Sequence, residues 1–132
     1  MIDLKTLELA EAWSASDPSQ RLRFAWAISG ETGSPSTSVA YVELPAGGAI
    51  PMHFDSANEI DYVLDGTAEW EMAGTRESYS AGSLVSIPAG RKHCLRNAGQ
   101  ETARLLIYLD EAKDVVTFDE PLMPIQTSVV AS

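Results

Sequence analysis

The chain contains two histidines, and each lies in a short segment rich in glycine and proline, residues 47–66 and 82–97. Four side chains in these segments are of metal-binding types: His53, Asp55, Glu59 and His93. Imidazole nitrogens and carboxylate oxygens are common ligands of divalent transition metals. Side chains two residues apart in a strand share one face, so His53 and Asp55 point the same way if their segment is extended. This spacing is compatible with convergence on one divalent ion.

The order and spacing of these residues resemble the two conserved motifs of the cupin superfamily. The first motif is Gly, five residues, His-x-His, three or four residues, Glu, six residues and Gly. Its matched positions are Gly47, His53, Glu59 and Gly66. One position departs from it, since Asp55 stands where the family has its second histidine. The second motif is Gly, five residues, Pro-x-Gly, two residues, His, three residues and Asn. Its positions are all matched, by Gly82, Pro88, Gly90, His93 and Asn97.

This resemblance implies an all-β double-stranded β-helix, a jelly-roll barrel in one domain, with His53, Glu59 and His93 as metal ligands. Asp55 then has two interpretations. It either completes a ligand set of two histidines and two carboxylates, or marks a degraded site that binds metal weakly or not at all. Two anionic ligands would offset the charge of the ion and make it a weaker Lewis acid. The expected cofactor is a divalent transition metal such as iron, manganese, nickel or zinc.

Further candidate site residues surround this set. Asp61 follows Glu59 by two residues and is expected on the same inward face. It is interpreted as a general acid or base with a pKa raised by burial, as a partner of a ligand histidine, or as an exposed carboxylate on a twisted strand. The candidate substrate contacts are Trp26, Tyr41, Arg96 and Tyr108. The aromatic members are also typical of a plain core, and the arginine either attracts an anion or is solvated.

Strand-like segments recur along the chain and are separated by glycine, proline and Asp-Gly turns. Strands are predicted at residues 21–29, 38–44, 59–64, 67–72, 75–79, 83–87, 92–97 and 102–109. Many short strands at this spacing predict a sandwich or barrel rather than a parallel α/β fold. We expect the barrel over residues 21–110 and an N-terminal strand or short helix over 1–20. A C-terminal tail over 111–132 is expected to pack on the barrel or on a partner subunit.

The 132-residue chain carries a formal net charge of −10, which disfavours binding to nucleic acid or to anionic membranes. No apolar run approaches the ~18 residues of a membrane-spanning helix. The first residues lack the features of a secretory signal, so we expect a cytoplasmic protein. Small cupins commonly dimerise and exposed sheet edges need covering, so we also expect a homodimer.

The resemblance implies a metal-dependent enzyme whose small organic substrate chelates the ion through a carbonyl, enol or carboxylate. Dioxygenation is the most familiar reaction of small single-domain cupins and receives a slight preference. The carboxylate-rich ligand set instead favours a non-redox lyase, isomerase, decarboxylase or cyclase. The remaining alternative is a non-catalytic cupin that binds a small molecule. The sequence has no dinucleotide fingerprint or phosphate-binding loop, so a nucleotide cofactor is not expected.

Overall fold

Antiparallel β-strands make up nearly all the regular structure of the chain. The computed structural model describes residues 1–132. Its strands are β1 (Ala10–Ser14), β2 (Arg21–Ile28), β3 (Ser38–Leu44), β4 (Ala49–Asp55), β5 (Glu59–Asp65), β6 (Thr67–Met72), β7 (Thr75–Ser80), β8 (Leu84–Ile87), β9 (His93–Arg96), β10 (Ala103–Leu109), β11 (Val115–Met123) and β12 (Thr127–Ala131). Two single-turn 3₁₀ helices, Leu4–Thr6 and Gly30–Thr32, are far too short to cross a membrane.

The predicted strands correspond to β2, β3 and β5 to β10, and no predicted end differs from the observed one by more than one residue. Three further strands, β4, β11 and β12, were not assigned as strands from the sequence, and β1 lies in the N-terminal segment for which a strand or short helix was expected. Within residues 1–20, the structure has one of the 3₁₀ helices followed by β1. Residues 111–132 contain both β11 and β12, which pair with each other.

The strands form one curled sheet in the order β7-β6-β9-β4-β11-β1-β2-β3-β10-β5-β8, with β12 added beside β11. Although β6 and β5 lie near opposite ends of this order, they meet inside the molecule. Trp70 Nε1 on β6 donates a hydrogen bond of 2.7 Å to Asp61 Oδ2 on β5. The sheet therefore closes over its own inner face, and the predicted all-β jelly-roll barrel is confirmed.

Alternation of side chains selects which residues of each strand enter the barrel. In β10, Ala103, Leu105, Ile107 and Leu109 are buried, whereas the residues between them are partly or fully exposed. The same period appears in β5, where the buried positions begin with Glu59 and Asp61. Burying a leucine or isoleucine side chain contributes about 1.5–3 kcal/mol, so this apolar face stabilises the sheet in its curled form. The two carboxylates are thereby carried inward with the apolar residues.

Turn chemistry fixes where consecutive strands reverse. Gly66, between β5 and β6, has a φ of 77°, and a Cβ atom there would lie 2.9 Å from the carbonyl oxygen of Thr102. Ala73 and Gly74, between β6 and β7, both have positive φ, which matches the twist of a tight hairpin. A Cβ atom on Gly74 would meet nothing within 4 Å, so that position is constrained by backbone conformation alone.

An irregularity in β4 brings the two histidines together. The register of β4 with β9 shifts between Ile50 and His53, and the intervening Pro51 has no N–H to donate to the ladder. Beyond the shift, His53 is the direct cross-strand partner of His93. The two segments that carry the sequence motifs therefore face each other across one pair of strands.

Candidate metal centre

Four side chains from three strands meet on the inner face of the barrel: His53 and Asp55 from β4, Glu59 from β5, and His93 from β9. One ligand atom from each lies within 4.8 Å of the others. His93 Nε2 is 3.4 Å from Glu59 Oε2 and 3.9 Å from Asp55 Oδ2. His53 Nε2 is 3.5 Å from the same oxygen of Asp55. Donor atoms about 2.1 Å from a shared ion lie roughly 3–4 Å apart, so the spacing suits one divalent ion.

Backbone carbonyls fix both imidazole rings in the form that a metal requires. His53 Nδ1 donates to the carbonyl of Pro51 at 2.7 Å, and His93 Nδ1 donates to that of Arg91 at 2.9 Å. A carbonyl accepts only from a protonated nitrogen, so Nδ1 of each ring carries a hydrogen and the ring presents its Nε2 atom to the cluster. Burial, reinforced by His93, lowers the pKa of His53 to about 3. The imidazole of His53 is therefore neutral and available as a ligand at neutral pH.

A row of four buried carboxyl groups runs along the same wall: Asp61, Glu59, Asp55 and Asp114. Electrostatic interactions couple each group to the next, Asp61 with Glu59, Glu59 with Asp55 and Asp55 with Asp114. Burial raises the pKa of Asp55 and of Asp114 to about 8. Burial and then the charge of Asp61 raise the pKa of Glu59 well above its usual range. Bound protons or a cation must therefore neutralise this row.

No basic side chain supplies that neutralisation. The ion pairs of lysine and arginine all involve other acidic residues on the outer surface. One oxygen of each of the four carboxyl groups in the row has no hydrogen-bond partner, including Asp55 Oδ2 and Glu59 Oε2, and the neighbouring His93 Nε2 has none either. Buried polar atoms are rarely left unpaired, because each costs the free energy of its lost hydration. These three atoms are also the ones that converge, so the residues present fit a divalent metal ion.

An apolar cavity of about 60 Å³ adjoins this centre. Its polar lining consists of His53, Asp55 and Glu59. The apolar lining is Leu22, Phe24, Trp26, Ala40, Val42, Ile50, Ile107, Leu109, Val116, Phe118, Leu122 and Val130. The indole Nε1 of Trp26 is buried without a hydrogen-bond partner. A ligand held at the centre would therefore extend into a space walled mainly by hydrocarbon.

Asp61 lies behind the centre rather than on the cavity wall. It is fully buried, accepts the 2.7 Å hydrogen bond from Trp70 and is linked to Glu59. The structure thus excludes an exposed position for Asp61. This carboxyl interacts electrostatically with both Glu59 and His93 of the centre.

Of the predicted substrate contacts, the structure brings Trp26 to the cavity and places Tyr41, Arg96 and Tyr108 outside it. Tyr41 hydrogen-bonds through its hydroxyl to Glu43 and Arg104, on the face opposite to the inward residues of β3. Arg96 forms an outer-surface ion pair of 3.5 Å with Glu69, and Tyr108 is 41% exposed. In β3 and β10 both faces carry apolar residues, so the sequence did not determine which set points inward.

Sequence reasoning missed the contribution of the C-terminal strands. Asp114 precedes β11 and accepts a 3.2 Å hydrogen bond from the backbone N–H of Ala57, in the loop before Glu59. Phe118 of β11 stacks near His53, with ring centroids 5.1 Å apart. The alternation of Val116 and Phe118 is a strand signal that was available in the sequence. Nothing local marks Asp114, because its partners lie far away along the chain.

Residues 40–109 match a protein-family model described as the Cupin domain. A comparison with curated proteins finds no match to this chain.

Solved structures share the architecture. The polyketide cyclase RemF from Streptomyces resistomycificus is 19% identical, with a TM-score of 0.69 over 83% of this chain and 77% of that one. The Schizosaccharomyces pombe Cnp3 cupin domain is 23% identical, with a TM-score of 0.66 over 83% and 72% of the respective chains. The DMSP lyase DddQ from Ruegeria pomeroyi DSS-3 is 30% identical, with a TM-score of 0.61 over 67% of this chain and 46% of that one.

Proposed function

The chain belongs to the cupin domain family, and on that premise we propose that it is a metal-dependent enzyme performing non-redox chemistry, as a lyase or isomerase, on a small organic molecule. The observation that carries the proposal is the row of four buried carboxyl groups with two buried imidazoles beside an apolar cavity. Such a row is costly to bury without a cation. A fold maintained for stability alone would have no use for it.

The proposed ligands are His53, Asp55, Glu59 and His93. When bound, a divalent ion would supply a Lewis acid that polarises a carbonyl or carboxylate oxygen of the substrate. Glu59 lines the cavity and interacts electrostatically with Asp61, which lies behind it. Asp61 can hold a proton against the Glu59 carboxylate and so act as the positioning residue, while Glu59 stays anionic. Proton transfer without electron transfer is the chemistry of lyases and isomerases.

Two arguments favour non-redox chemistry. The buried carboxyl groups Glu59 and Asp61, which interact with each other beside the proposed ligand set, can hold and position a proton without any change of oxidation state. The 30% identical DddQ is by its name a lyase. Dioxygenation is the second candidate, because two histidines and one carboxylate are the ligand set of non-haem iron oxygenases. A binding module without turnover is the third.

Metal content of the purified protein and of the Asp55→Ala variant, measured by plasma mass spectrometry, tests the centre. We expect about one transition-metal ion per chain in the wild type and a clear loss in the variant, since Asp55 Oδ2 lies near both histidines. An ion fully retained in the variant would leave His53, Glu59 and His93 as a sufficient ligand set. Absence of metal from both proteins, even after reconstitution, would overturn the metalloenzyme proposal.

Turnover separates the three functions. With small carboxylic acids and ketones screened on the metal-loaded protein, a lyase or isomerase works equally well without oxygen, whereas a dioxygenase stops. Asp61→Asn should keep the metal and lower kcat at least ~10-fold with little change in KM, because asparagine cannot hold or release the proton that Asp61 places behind Glu59. Asp119→Asn, at the exposed partner of Lys92, is the matched control. Ligand binding without any turnover would support the binding module instead.

A further inference from the structure

We propose that the substrate of this centre carries at most one negative charge, has a short hydrocarbon body and presents an oxygen acceptor to Trp26. This inference rests on the proposed function, because it takes the centre as the point at which the substrate is held. It specifies a class of molecule that the family alone does not define, since cupin barrels serve many chemistries.

The charge limit follows from the composition of the cavity wall. Three polar residues line it, two of them carboxylates, and no lysine or arginine reaches it. Asp55 and Glu59 already balance the two charges of a divalent ion. One anionic group of a substrate can bind the ion, but a second would be buried beside two carboxylates without a cation. Burial of an uncompensated charge is strongly unfavourable, so dianions are excluded.

The size limit follows from the volume. The cavity of about 60 Å³ is less than half of the ~150 Å³ apolar cavity that accommodates benzene. Its lining includes aliphatic side chains such as Val42, Ile107 and Leu122. They can exclude water from a small hydrocarbon group but offer it no hydrogen bond. A body of roughly two to four carbon atoms fits this space.

Trp26 adds one polar requirement. It lies on β2, lines the cavity and has a buried Nε1 with no acceptor. An indole N–H can only donate, and a buried donor without an acceptor loses the hydrogen bond that water gave it. A hydroxyl or carbonyl oxygen on the substrate would restore that bond. Trp26 thus distinguishes an oxygenated carbon chain from a plain one.

Three four-carbon probes test these limits by calorimetry on the metal-loaded protein: butanoate, 4-hydroxybutanoate and succinate. We expect both monoanions to bind at least ~10-fold more tightly than the dianion succinate. Trp26→Phe should weaken 4-hydroxybutanoate about 2- to 10-fold and leave butanoate unchanged, because it removes the N–H but keeps an aromatic ring. Trp13→Phe is the control, since Trp13 lies under the Arg21 guanidinium, outside the cavity.

Succinate binding as tight as butanoate would overturn the charge limit. An equal effect of Trp26→Phe on both monoanions would overturn the role of the N–H. If the protein holds one ion per chain yet binds none of the probes, the substrate class is wrong while the metal centre stands. If no ion is held, the proposed function and this inference fall together.

A separate observation on the outside of the barrel points to a second proposal: two copies of the chain pair through an outer patch of β5, β8 and β10. We define the outer patch as Ile60, Tyr62, Leu84 and Tyr108, which are 42%, 38%, 66% and 41% exposed. Register makes them neighbours, since Tyr62 pairs with Leu84 and Tyr108 with Ile60. Their exposed area is roughly 400 Å², in the range that marks an interaction site on a soluble protein.

The outer patch is a face on which a second copy can be seated without charge repulsion, and we take a second copy as its occupant. The chain carries a net charge of −10, so two copies repel each other over most of their surface. The outer patch contains no ionisable acid or base other than tyrosine, and the nearby Arg104 is neutralised by Asp65 at 2.6 Å. β8 is also the end of the sheet, so a copy seated here would cover an edge strand. The patch supplies about half of the ~800 Å² per partner of a standard interface, and its partly buried neighbours can supply the rest.

Light scattering after size exclusion tests the pairing. The wild type should elute at twice the chain mass of 14.2 kDa, and Leu84→Asp should elute at 14.2 kDa with an unchanged circular dichroism spectrum. Val129→Asp, at a residue 48% exposed on β12, is the control and should remain dimeric. A monomeric wild type at tens of micromolar, or a Leu84→Asp dimer, would overturn the pairing.

Discussion

Replacing His93 by glutamine should abolish most of the metal-linked stability of the protein. A ligand that binds only the folded state at a hundred times its Kd stabilises it by about 2.7 kcal/mol. Unfolding entropy is about 2.1 cal/mol/K per residue, so 132 residues give a Tm increase of about 10 °C. His93 Nε2 lies within 3.9 Å of both carboxylate ligands, so its loss removes a central donor. A hundred-fold weaker Kd at the same ion concentration leaves about 0.4 kcal/mol, a shift of about 1.5 °C.

Differential scanning fluorimetry of the chelator-treated protein with and without manganese, iron(II), nickel or zinc measures this shift. Cys94→Ser is the matched control, because Cys94 is the next residue of β9 and faces outward, with its Sγ 3.4 Å from Glu71 Oε2. The control should keep the full shift. A shift that survives in His93→Gln, or disappears in Cys94→Ser, would refute the assignment of the centre. So would a wild type that responds to none of these ions.

Three further outcomes are expected. The pKa of Asp55 and of Asp114 is raised to about 8, so the metal-free folded state holds more protons than the unfolded state above pH ~4. Its stability should therefore fall as pH rises from about 6.5 to 8, by up to ~1.4 kcal/mol per pH unit for each carboxyl, since the opposing contribution of the buried His53 is complete above its unfolded pKa. The Tm increase on metal addition should grow over the same range. Urea titrations across this range check both, and a flat profile would contradict the burial argument. Gly66→Ala should cost at least ~1–3 kcal/mol more than Gly74→Ala, because both glycines have a φ of 77° and only the first would clash with a carbonyl; equal denaturation midpoints would contradict this. Leu122→Ala, at a buried cavity wall, should cost about 2–5 kcal/mol in chemical denaturation and admit a longer carboxylate probe in calorimetry; unchanged probe selectivity would show that this wall does not limit size.

The sequence was sufficient for the barrel and for the convergence of the ligand-type residues, because both depend on local rules. Alternation and turn residues locate strands, and the spacing of His53 and Asp55 places them on one face. Asp114 was not predictable, since its neighbours are set by the pairing of β11 with β4 across the barrel. Tyr41 was expected at the cavity but lies outside it. Val39, Tyr41 and Val42 put apolar residues on both faces of β3, so the sequence alone does not show which face points inward. Pro121 lies within β11. In the sequence this proline argued against a long helix but gave no evidence for a strand.

Different strands supply the metal centre and the apolar cavity wall, so reactivity and substrate selection depend on different residues. The residues of the metal centre come from β4, β5 and β9, whereas the apolar wall comes almost entirely from β2, β3, β10, β11 and β12. Substitutions in the apolar wall can therefore change which molecules enter the cavity without changing the reactivity of the metal centre. Asp114 is the exception, because it joins the C-terminal strands to Asp55. A mutant library confined to the wall positions of β2, β11 and β12 would thus change substrate selection while keeping the reaction of the metal centre. Natural substitutions at these positions can have the same effect.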